Sequence, residues 1–223
     1  MNLRRLLPRT LIRDRRTKRI ENIVAIIDYG AGNIKSVENA VRYLGHEAVL
    51  TRDREVILSA DHVILPGVGA FGDAMARLRK YGMDDVLREV ARRQIPLLGI
   101  CLGLQLLFES SEESPGAEGL CILKGKILRI PEGDGRKVPQ IGWNDLAFPN
   151  PGRLFEGLSE GVYVYFVHSY YLRTEDPSIV TAAADYGVRI DAAVEKGNVF
   201  ACQFHPEKSE AVGMKILGNF LGI

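Results

Sequence analysis

The chain has 223 residues, 46% of them hydrophobic, enough for one domain with a sizeable core. Its formal net charge of +1 gives no strong field for nucleic acid or an acidic substrate. Three cysteines (Cys101, Cys121 and Cys202) are too few for a disulfide framework and suit reduced thiols in a cytoplasmic protein. The longest apolar run, around Cys101, is broken by Gln105 and falls short of the ~18 residues a membrane span needs, so neither membrane nor nucleic acid is expected as a partner.

Residues 1–22 hold eight lysines and arginines against Asp14 and Glu21, with no long apolar stretch and no aromatics for stacking on bases. They are expected to be a disordered basic extension, or the product of an early start codon, dispensable for the domain at 23–223. From Ile23 the pattern turns regular. "IVAIID" reads as a buried strand ending in the turn "YGAGN". Asn33 then suits the cap of a helix carrying Ile34, Val37, Val41 and Leu44 at helical spacing, with Gly45 as its stop. "EAVLT" and "HVILPG" predict two more strands, "AFGDAMARLRKYG" and "MDDVLREVARRQ" two helices, and "IPLLGIC" another buried strand leading into a helix "LGLQLLFES". After residue 115, "GKILRI", "KVPQIGWNDLAF", "GVYVYFVHSYYLR", "SIVTAAAD" and "RIDAAVEKGNVFACQF" predict a more antiparallel half, closed by a helix at "SEAVGMKILGNFL". The expected fold is a single α/β domain: a mixed, mostly parallel central sheet with helices on both faces.

Cys101 sits in Gly99-Ile100-Cys101-Leu102-Gly103, where a buried strand hands over to a helix. Glycines two before and two after a central residue are the sequence form of a nucleophile elbow, and a helix N-terminus favours a thiolate. A small core hydrophobe in a glycine-rich strand fits the same residues, and this stretch alone does not separate the two. A nucleophilic cysteine needs a base and the base an orienter. Of four histidines, His46 and His62 flank strands as surface histidines often do. His205 follows the apolar strand "VFACQF", where catalytic residues of open α/β sheets collect, and Glu207 stands two residues on. A solvated loop is the alternative for this pair taken alone. Cys202, three residues before His205, reads as an inert strand-core thiol. No spacing of histidines or cysteines suits a metal, and no cofactor is expected. Pro66-Gly67-Val68-Gly69, at the end of another strand, offers backbone amides that could face a developing oxyanion; as a dinucleotide loop it lacks a full GxGxxG.

Together "PGVGAFGDAM", "GICLGLQLLFE", "GWN", "YFVHSYY" and "QFHPEKS" resemble the class I (triad) glutamine amidotransferases, whose fold is flavodoxin-like. With "DYGAGN" they are most similar to the branch formed by the glutaminase subunits of imidazole glycerol phosphate synthase. The resemblance spans about residues 23 to 223 and implies the roles that follow. Cys101 attacks the carboxamide of glutamine, and His205, oriented by Glu207, manages the proton. The amide of Leu102 and one from Gly67-Val68-Gly69 hold the oxyanion. Gln105 binds substrate, with His168, Ser169 and Tyr170 on the other wall. Trp143, Lys208 and Asn33 face a (β/α)₈-barrel cyclase, to which ammonia passes in a heterodimer. A glutaminase subunit of another synthase, such as anthranilate or pyridoxal phosphate synthesis, and a non-catalytic module of the same fold are the alternatives.

Overall fold

The computed structural model describes residues 23–30, 34–133 and 135–223; the expectations placed on residues 1–22 and on Asn33 lie outside them. The first half alternates strands and helices: β1 (Ile23–Ile27), α1 (Ile34–Tyr43), β2 (Glu47–Thr51), α2 (Arg54–Ser59), β3 (His62–Leu65), α3 (Phe71–Lys80), α4 (Met83–Arg92), β4 (Leu97–Ile100) and α5 (Leu102–Leu106). The second half carries β5 (Ser110–Ser111), β6 (Gly125–Arg129), β7 (Gln140–Asp145), β8 (Tyr163–His168), β9 (Tyr170–Thr174), β10 (Val180–Asp185), β11 (Arg189–Lys196), β12 (Val199–Cys202) and α6 (Glu210–Leu221).

Seven strands form the central sheet in the order β10-β11-β12-β4-β3-β1-β2. Strands β2, β1, β3, β4 and β12 are parallel, and β11 runs against its neighbours β10 and β12. The apolar runs of β1, β3, β4 and β12 are buried, apart from half-buried Ile23, because each face of the sheet has its own core. Ala25, Ile27, Val63, Leu65 and Ala201 face the core built with α2 to α5. Val24, Ile26, Ile64, Phe200 and Cys202 face the core built with α1 and α6. Two small sheets, β5-β6-β9 and β7-β8, lie outside the main one.

Three local expectations change. The reading of "EAVLT" and "HVILPG" passed over α2 between them, a short helix capped by Asp53, whose carboxylate accepts from the amides of Glu55 and Val56. "YFVHSYY" is not one strand: the chain breaks at Ser169, so β8 pairs with β7 and β9 with β6. The helix after Cys101 is shorter than its apolar pattern suggests, ending at Leu106.

His62 is not a surface histidine. It is 6% exposed, packs against Phe220 with ring centroids 5.2 Å apart, and neither ring nitrogen has a partner among the described residues. Burial, with the charge of nearby His46, holds this imidazole below its ordinary value against the opposing pull of Asp61. The folded chain therefore disfavours the protonated ring, and stability is lost as pH falls below about 6.5, where the unfolded chain takes up the proton first. His62→Leu is expected to stabilise the protein by about 1 kcal/mol at pH 8, where only the unpaired nitrogens matter, and by more at pH 5. Thermal melts at the two values check this; an equal gain at both would contradict it.

Candidate active site

The ends of β3, β4 and β12 lie side by side and deliver the three segments singled out in the sequence. The β4–β12 ladder runs one residue past β4, where the Cys101 amide donates to the Cys202 carbonyl at 2.8 Å. The backbone then turns sharply at Cys101 itself, with φ 54° and ψ −110°, a conformation costly for a residue with a side chain. Its carbonyl starts α5 by accepting from Leu104 and Gln105. The flanking glycines serve a different purpose from the turn. A Cβ on Gly103 would stand 1.9 Å from the Leu65 carbonyl oxygen, and one on Gly99 2.7 Å from that of Gly103. They let α5 press against the sheet, and the strain sits on the cysteine.

His205 is fixed from both sides. Its amide donates to the Tyr165 carbonyl at 2.9 Å, and its carbonyl accepts from Ser209 Oγ at 2.7 Å. Ser209 Oγ also accepts from the Tyr165 amide, so strand β8 holds the segment around His205 at two points. The short 3₁₀ turn Pro206–Lys208 brings Glu207 back under the ring, with Oε1 2.9 Å from His205 Nδ1. The Glu207 side chain is 2% exposed, and its Oε2 has no hydrogen-bond partner among the described residues. Burial alone would lower the His205 imidazole, but hydrogen bonds to Cys101 and Glu207 and their negative charges outweigh it and raise the ring to about 9. Histidine and glutamate are thus a bonded pair, and Cys101 lines the same cavity as His205, its Sγ 3.8 Å from the Val167 carbonyl and 3.7 Å from Gln203 Nε2. The other thiols differ: burial pushes the fully buried Cys202 thiol well up, and burial with Glu118 raises that of exposed Cys121.

Cys101 and His205 line a cavity of about 340 Å³ together with, among others, Val68, Gly69, Leu102, Gln105, Ser169 and Tyr170. Gly67 supports this wall from behind. A Cβ there would meet Tyr29 Oη at 2.8 Å and the Gly103 nitrogen at 2.9 Å, while Tyr29 Oη donates to the Pro66 carbonyl at 2.9 Å. The tyrosine of "DYGAGN" is therefore a buried brace under the glycine loop. Gly69 has φ 95°, which suits glycine, and Val68 between the two is 41% exposed.

His168 reaches the cavity wall with both ring nitrogens engaged, Nδ1 2.9 Å from the Tyr170 carbonyl and Nε2 3.0 Å from the Gln140 carboxamide. Burial lowers this imidazole to about 4, despite its bond to Tyr170. Its ring braces Tyr170, and His168, Ser169 and Tyr170 all line the cavity. Lys208 is exposed at the cavity rim. Trp143 lies on β7, 47% exposed, edge-on to Tyr165 with centroids 5.9 Å apart. With Ile141 and Tyr163 it makes an exposed apolar face on the β7–β8 ribbon, while Val164, Phe166 and His168 on the opposite face of β8 are buried. Glu113, passed over in the sequence, is the acidic residue of the cavity lining; its Oε2 accepts from the Phe71 amide at the start of α3.

Residues 25–222 match the family described as glutamine amidotransferase class-I. The chain belongs to this family. It is 50% identical over 197 residues to the imidazole glycerol phosphate synthase subunit HisH of Moorella thermoacetica, covering 88% of this chain and 93% of that one. It is 51% identical over 201 residues to the subunit of the same name from Bacillus cereus, covering 90% and 95%. A solved structure titled as a glutamine amidotransferase superposes with a TM-score of 0.70 at 25% identity, covering 90% of this chain and 99% of that one. The amidotransferase fold expected from the motifs, with its mostly parallel sheet, is the fold observed.

Proposed function

We propose that this chain hydrolyses glutamine to glutamate as the glutaminase subunit of imidazole glycerol phosphate synthase, and passes the ammonia to a (β/α)₈-barrel cyclase. The observation that carries the reading is a cysteine on a strained turn that lines one small cavity with His205, itself bonded to Glu207. Cys101 Sγ attacks the glutamine carboxamide carbon, and the carbonyl electron pair moves onto oxygen, held by the Leu102 amide and one from Gly67-Val68-Gly69. His205 gives a proton to the departing nitrogen, leaving a glutamyl thioester. Water, deprotonated by His205, attacks the thioester carbon, and the adduct collapses to glutamate as the electron pair returns to sulfur. Gln105, Ser169 and Tyr170 hold the substrate, and Glu113 carries the charge that suits its ammonium group. Relatives about 50% identical that share one name favour this branch over another synthase's glutaminase or a non-catalytic module.

The apolar face of Ile141, Trp143 and Tyr163 and the rim lysine Lys208 supply the cyclase contact. The partner gates the reaction through Val68: with glycine on either side, its peptide can turn a donor away at rest and toward the oxyanion when the partner is loaded. Lys208→Ala is expected to weaken association or coupling while Cys101 still takes up a glutamine-like electrophile at its normal rate. Without partner, the chain is expected to turn over glutamine at least about tenfold more slowly than in the nucleotide-loaded complex, since one oxyanion donor is worth ~10²–10³ in the protease precedent. Glutamate release measured with and without the cyclase checks this, and full-speed turnover by the free chain would contradict the gate.

A further inference from the structure

Gln203 is the one residue of the apolar run "VFACQF" that brings a carboxamide into the core, and it is 0% exposed. Burying an amide is costly unless both ends are hydrogen-bonded, and a methionine of similar length would fill the same space at no such cost. Both ends of this amide are used, and both on the active site. Oε1 accepts from Gln105 Nε2 at 3.0 Å, and Nε2 donates to Cys101 Sγ at 3.7 Å, within reach for sulfur. The main chain sets the geometry: the Gln203 amide donates to the Ala192 carbonyl at 2.8 Å, holding the residue in line just past β12.

The bond to Gln105 settles what that residue can offer. Gln105 Nε2 donates one hydrogen to the Tyr170 carbonyl at 3.1 Å and the other to Gln203. With both hydrogens spent on the protein, Gln105 meets a molecule in the cavity with its carbonyl oxygen, an acceptor. The bond to sulfur acts on the nucleophile. An N–H donor binds an anionic acceptor about twice as strongly as a neutral one, so it favours the thiolate over the thiol and over the thioester. In the proposed reaction the sulfur attacks as an anion and becomes one again when the water adduct collapses.

We propose that Gln203 is a catalytic residue of glutamine hydrolysis, its amide nitrogen stabilising the Cys101 sulfur anion and its oxygen orienting Gln105 as an acceptor for the substrate. This rests on Cys101 being the nucleophile. The test compares the full-length chain with Gln203→Met, which removes both bonds, and Gln203→Glu, which still accepts from Gln105 but brings no donor to the sulfur. The rate of iodoacetamide labelling at Cys101 is followed against pH by peptide mass, and glutamine kinetics are measured alongside. Both variants are expected to label Cys101 at least about fivefold more slowly at neutral pH, with the rate profile displaced to higher pH. The KM for glutamine is expected to rise in Gln203→Met and to stay within about threefold in Gln203→Glu, because only the former frees the Gln105 amide. A folded Gln203→Met with an unchanged labelling profile and turnover overturns the role of Gln203. Should neither variant fold, the wild type decides: alkylating Cys101 is expected to shift the Gln203 side-chain amide resonance, and no shift overturns the role. Wild-type labelling at Cys121 or Cys202 in place of Cys101 overturns the nucleophile reading itself, a result separable from the others.

Discussion

Cys101→Ala is expected to abolish glutamate release, by a factor on the order of 10⁴ or more, because without the sulfur no thioester forms and the remaining site can only bind. The protein should stay folded, since Cys101 lies in the apolar cluster beside Ile100 and Phe204, where alanine fits. A second substitution separates chemistry from strain. The backbone at Cys101, φ 54° and ψ −110°, costs a residue with a Cβ about 1–3 kcal/mol, and glycine adopts it freely. Glycine also loses more chain entropy on folding, about 0.5–1 kcal/mol. Cys101→Gly is therefore expected to be as inactive as Cys101→Ala but about 1 kcal/mol more stable. Glutamate assays and denaturant melts of the pair check both halves, and an alanine variant equal to or above the glycine one in stability would remove strain from the account. The comparison asks whether this elbow gives up stability to present its thiol.

Gly103→Ala is expected to be severely damaging. The added Cβ would lie 1.9 Å from the Leu65 carbonyl oxygen and 3.0 Å from its carbon, and that backbone belongs to β3 at the centre of the sheet. No side chain can swing aside, so α5 must lift off the sheet and take Cys101 and Leu102 with it. Overpacking of this kind costs about 3 kcal/mol or more when backbone must move. Residual activity should fall further than the loss of folded protein explains. Gly218→Ala is the control: it lies inside α6, and the nearest atom to an added Cβ is Leu44 Cδ2 at 3.9 Å, ordinary contact. There alanine is expected to stabilise by about 0.5–1 kcal/mol through helix propensity. Urea melts of the two variants give the comparison, and a Gly103→Ala protein as stable as wild type would contradict the packing argument.

Much of this was legible in the sequence because the information is local. Strands β1, β3, β4 and β12 are short apolar runs ended by turn residues, and Cys101 with its glycines sits within five residues. His205 and Glu207 lie two apart, and the structure joins them at 2.9 Å. What escaped depends on distant pairing. Gln203 matters through Gln105 and Cys101, 98 and 102 residues away, and reads in sequence as a stray polar residue in a strand. Glu113 gains its place from a loop folding back onto α3. His62 follows the acidic Asp61 at a strand start, a surface signature, but α6 covers it with Phe220 from the far end of the chain. Helix α2 did leave a signal, the cap Asp53, hidden by the brevity of its six residues.

The measurement closest to the central claim is the site at which a glutamine-derived electrophile becomes attached. The full-length chain is incubated with the reagent, with and without excess glutamine, and digested for peptide mass analysis. Burial and charge leave Cys202 and Cys121 poor nucleophiles, while Cys101 opens into the cavity beside His205. The expected result is a single adduct on Cys101, suppressed by glutamine and lost in Cys101→Ala. An adduct on Cys202 or Cys121, or one on Cys101 that glutamine does not suppress, would contradict the account.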